Sequence, residues 1–60
     1  MQDSDLLEGA RSLAIAKNME DLRTVLLWLQ EASARRDRLR HVDRAIELLQ
    51  EIRDTIQDSG

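Results

Sequence analysis

Five consecutive apolar residues, Val25-Leu26-Leu27-Trp28-Leu29, lie in a stretch without Gly or Pro. On a helix they project to every side, so the helix that carries them needs cover on several faces. That requirement points to an all-α protein in which the segment around Trp28 sits inside a small bundle.

The length leaves little room for other solutions. Sixty residues allow a single domain, 1–60, and a chain this short buries only about 60% of the surface exposed when unfolded. Folds of this size are usually supplemented by disulfides, a metal or another chain. No Cys is present and His41 is the single His, which removes a disulfide framework and a thiolate zinc site. No cofactor and no metal are expected. A second chain is the remaining supplement.

Helical spacing divides the sequence into three expected helices. Leu6, Leu7, Ala10, Leu13 and Ala14 predict a short first helix over 5–16, with Asp3 or Ser4 as its N-cap. Lys17-Asn18 reads as a turn, with Asn18 either ending that helix or capping the next. Met19, Leu22, Val25, Leu26, Leu29 and Ala32 predict a second helix over 19–34. Leu39, Val42, Ala45, Ile46, Leu48, Leu49, Ile52 and Ile56 predict a third over 38–57. Residues 1–4 and 58–60 read as frayed tails. Gly9 costs its helix about 1 kcal/mol relative to Ala, and is either a point of close backbone approach or simply tolerated.

Nothing between Ser33 and Arg40 is a strong breaker, so one helix from 19 to 57 is conceivable. The phases favour a bend. At about 100° per residue the apolar face of 22–29 centres near 30°, and that of 42–56 near 200°. A straight helix would bury opposite sides, whereas a reversal in Ala34 to Arg38, capped by Asp37, brings both onto one core. The expected architecture is therefore a helical hairpin with a short N-terminal helix, packing as a bundle by self-association.

The densest charge cluster is Arg35, Arg36, Arg38, Arg40 and Arg44. Arginine forks suit phosphate or carboxylate oxygens, so the cluster is a candidate patch for an anion or an acidic partner. The bland reading is a solvated bend whose arginine stems cover apolar edges, with Glu31 and Arg35 spaced for an ion pair. The net charge of −3 and the lack of aromatic residues around the cluster make nucleic acid an unlikely partner. His41 follows Asp37 by one helical turn, but no nucleophile motif accompanies the pair. No catalytic residue and no Gly-rich nucleotide loop are identified, so enzyme activity is not expected. The longest apolar run is too short to span a bilayer. The opening Met-Gln-Asp-Ser-Asp has no signal-peptide pattern, and cytoplasmic residence is expected.

These readings converge on a non-enzymatic protein-protein interaction module: a dimerisation, docking or adaptor bundle, or a small regulator that binds a partner protein. The expected partner is a second copy of the chain, a helical protein, or both. Leu27, Trp28 and the outer part of the last helix (Leu48, Ile52, Ile56) are the expected interface. The alternative is a small nucleic-acid-associated regulator that uses the Arg35–Arg44 cluster.

Overall fold

The computed structural model describes the backbone of residues 2–59 and the side chains of residues 6–58. It contains two helices, α1 (Gln2–Glu31) and α2 (Arg35–Ser59), joined by residues 32–34. The all-α hairpin is as expected; the three-helix division is not. The expected helices at 5–16 and 19–34 are one continuous α1. Lys17 and Asn18 each cost a helix only tenths of a kcal/mol when nothing else favours a turn. Here the contact stripe runs straight through them. α1 starts at Gln2, ahead of the cap expected at Asp3 or Ser4, and those two side chains lie outside the described residues. Of the tails expected to fray, residues 2–4 belong to α1 and residues 58–59 to α2, while residues 1 and 60 lie outside the described residues.

The reversal is tighter and earlier than the span from Ala34 to Arg38. The Ala32 N–H still donates to the Trp28 carbonyl at 2.9 Å, and the Arg38 N–H to the Ala34 carbonyl at 3.0 Å. Only one residue, Ser33, stands between these two ends. Ala34 takes the cap position, and Asp37 falls inside the first turn of α2, where its charge complements the helix dipole. The arginines that look misplaced at a helix start have a use nearby. Arg38 Nε donates to the Ala32 carbonyl at 2.8 Å, so a cation closes the carbonyl end of α1.

The two helices meet along a seam of three- and four-residue steps, the spacing of a coiled coil. On α1 the buried and half-buried positions include Ile15, Asn18, Leu22, Val25 and Leu29, continued by Ala32 just past its end; on α2 they are His41, Ala45, Leu48, Ile52 and Thr55. Val25, Ala45 and Leu48 form the core, exposed by 5%, 8% and 1%, with Leu22 packed against them. The two stripes face each other in an antiparallel pair closed at 32–34, with Leu22 of α1 against the cluster that Val25 forms with Ala45 and Leu48 of α2. Thr55 donates its hydroxyl to the Glu51 carbonyl within its own helix at 3.0 Å, which lets a polar residue occupy the seam at little cost.

Near the other end, a Cβ added to Gly9 would meet nothing within 4 Å. Within the hairpin no backbone comes close to this glycine. Gly9→Ala is expected to raise stability by about 1 kcal/mol, read as a higher melting temperature by circular dichroism. A lower one would reveal a chain packed at Gly9.

Candidate functional site

The hairpin is a single layer, with Cα extents of 51 × 16 × 9 Å and a radius of gyration of 14.5 Å. A compact chain of this length has a radius near 10 Å. The accessible surface of 5093 Å² exceeds by roughly 1,100 Å² the value near 4,000 Å² typical of a folded monomer of 6.9 kDa. The elongated shape leaves many large apolar side chains exposed, among them Leu6, Leu7 and Leu13 near the start of α1, Leu27 and Trp28 further along it, and a continuous set beside the seam.

Beside its seam, α2 carries a second stripe with the same three- and four-residue steps: Leu39, Val42, Ile46, Leu49, Arg53 and Ile56. Its five apolar members keep 36–57% of their surface exposed. The inner seam includes Asn18, His41 and Thr55, so the outward stripe is the more hydrophobic of the two. Leu49 and Ile56 each follow a seam residue, Ala45 and Ile52, by four positions. On α1, Met19 and Leu26 follow Ile15 and Leu22 in the same way and are also about half exposed. In an antiparallel pair such positions fall on one face. Reversing one helix and turning it towards its neighbour cancel in rotational sense. Met19, Leu26, Val42, Leu49 and Ile56 therefore form one apolar face, widened by Leu39 and Ile46.

The opposite face is polar. Asp21, Thr24, Trp28 and Arg44 line a shallow groove there with Val25 at its floor. Trp28 leans against His41, with ring centroids 6.0 Å apart and planes tilted by 50°. His41 thus meets Trp28, and among the described residues no hydrogen bond joins it to Asp37.

The five residues expected to form an interface are dispersed by this geometry. Leu48 is the most buried side chain of the hairpin and Ile52 is half-buried in the seam; both serve contact within the chain. Trp28 stands on the polar face, 52% exposed. Leu27 lies on the back of α1, in an open depression of about 460 Å³ lined also by Glu20, Arg23, Thr24, Leu26 and Gln30. One helix alone forms that depression, which leaves it without opposing walls. Ile56 is on the apolar face. Leu39, Val42, Ile46 and Leu49 belong with it. Their own 3–4 spacing is the signal in the sequence that identifies them.

The arginine cluster is likewise spread out. Arg35, Arg36, Arg38, Arg40 and Arg44 are all exposed on the first turns of α2, but they do not converge on one point. Arg38 is engaged at the bend. Arg44 Nη1 donates to Glu47 Oε2 at 3.1 Å. The expected Glu31–Arg35 pair is not formed, because these residues end one helix and begin the next. Among the described residues no group of His, Cys, Asp or Glu is placed to hold a metal ion, and no helix is long and apolar enough to cross a membrane.

The chain matches no protein-family model, and no curated protein or solved structure matches it. The functional reading therefore rests on the uncovered apolar face.

Proposed function

We propose that this chain is a non-enzymatic helical protein-interaction module, a hairpin that completes its fold by docking its apolar face on another helical surface. The observation that carries this reading is the second heptad-spaced stripe on α2, more apolar than the seam holding the hairpin together. A stable protein-protein interface covers about 800 Å² on each partner. Isolated two-helix units of this size also lack the buried apolar area needed to offset chain entropy.

The test uses the chain alone, diluted until light scattering reads the mass of one copy. The expected result is binding of an apolar dye and a broad, weakly cooperative melt. A dye-silent single chain with a sharp thermal transition would overturn the reading, since its face would need no partner.

The nucleic-acid alternative gains nothing from the scattered arginines. No tight binding to duplex DNA is expected at physiological salt. Submicromolar affinity there, falling with salt by a slope near −0.9 per phosphate neutralised and lost when Arg35, Arg36, Arg38 and Arg40 become Gln, would contradict this.

A further inference from the structure

We infer that the occupant of the apolar face is a second copy of this chain, docked two-fold with α2 antiparallel to α2. The inference rests on the interaction-module reading and adds the identity and geometry of the partner. A two-fold contact must be complementary to itself, and the stripe Leu39, Val42, Ile46, Leu49, Arg53, Ile56 meets that condition in one direction. With Ile46 across from Leu49 of the second copy, Leu39 falls across from Ile56, and Val42 from Arg53. All five apolar residues then lie in the contact.

The charges decide the direction. Arg53 is the one charged member of the stripe, and among the described residues it has no ionic partner in its own chain; neither has the exposed Asp43. The antiparallel register lays Arg53 of each copy beside Asp43 of the other, forming two symmetric ion pairs. A parallel register would set Arg53 against Arg53.

A charge-reversal cycle read by sedimentation equilibrium tests this. Asp43→Arg and Arg53→Asp should each weaken self-association about tenfold, since each change turns two attractive contacts repulsive. The double variant should return to within about threefold of the original dissociation constant. Both positions are exposed, so helicity measured in parallel should be preserved. Single variants without effect, or a double variant weaker than either single, would overturn the antiparallel arrangement. An original chain of single-copy mass up to millimolar concentration would overturn the second copy as occupant. If that monomer still binds dye and melts broadly, the interaction-module reading stands apart from this inference.

Discussion

Leu48→Ala is expected to unfold the hairpin in dilute solution. Leu48 is 1% exposed and belongs to the one buried cluster among the described residues, with Val25, Ala45 and Leu22 around it. Truncating such a leucine costs about 2–5 kcal/mol, from lost transfer energy and the cavity left behind. Ordinary stability for 60 residues is roughly 3–9 kcal/mol, and a hairpin with so small a core sits at or below the bottom of that range. The substitution therefore removes much or all of it. Circular dichroism should show most of the helical signal lost at a concentration where the original chain retains it. Gln50→Ala, two residues further on and exposed, should stay within about 0.5 kcal/mol. A Leu48→Ala chain that melts with the original would place Leu48 outside the core and undo the seam.

Leu49→Glu, one residue away, is expected to act on association instead. Leu49 is half exposed in the hairpin, so a carboxylate there meets water in the single chain and costs the seam little. In the two-fold contact it would be held among Ile46 and Leu49 of the second copy. An unpaired carboxylate in an apolar contact costs several kcal/mol, and symmetry imposes that cost twice. Self-association should fall by well over a hundredfold, enough to abolish it across practical concentrations. Light scattering would read this as single-copy mass wherever the original chain is double. Leu27→Glu is the control, because Leu27 lies on the back of α1 in an open depression and should leave association nearly intact. Equal effects at both positions would mean that the outer stripe of α2 is not the contact.

The contrast between Leu48 and Leu49 also marks where the sequence stops being informative. The hairpin itself is legible, because the apolar faces of 22–29 and 42–56 differ in phase by nearly half a turn and demand a reversal. Its partition into seam and outer surface is not. α2 holds two adjacent stripes with identical spacing, Ala45-Leu48-Ile52 and Leu39-Val42-Ile46-Leu49-Ile56, and periodicity alone does not say which one faces α1. Hydrophobicity favours the second, yet the first forms the seam, where the small Ala45 is buried in one cluster with Val25 and Leu48.

Lys17-Asn18 was misleading for a related reason. Asn18 suits a turn, but it also occupies a half-buried seam position in step with Ile15 and Leu22, and the continuing stripe outweighs local turn preference. The bend shows the reverse case. Ser33 and Ala34 carry no strong breaking signal, and the end of α1 is met from across the reversal by Arg38, which donates to the Ala32 carbonyl. A side chain six residues away does what sequence reading assigns to Gly or Pro. Trp28, the one aromatic residue, invites the role of interface anchor; its contact with His41 needs the register of both helices and cannot be read from either segment alone.

Sedimentation equilibrium over a concentration series, with circular dichroism melts on the same samples, tests the central claim most directly. That claim is that the hairpin is half of a bundle. The mass should rise from the 6.9 kDa of one chain to twice that value as concentration increases, and the melting temperature should rise with it, because the bound state stabilises the folded one by mass action. A constant single-chain mass with a sharp melting temperature independent of concentration would contradict the account.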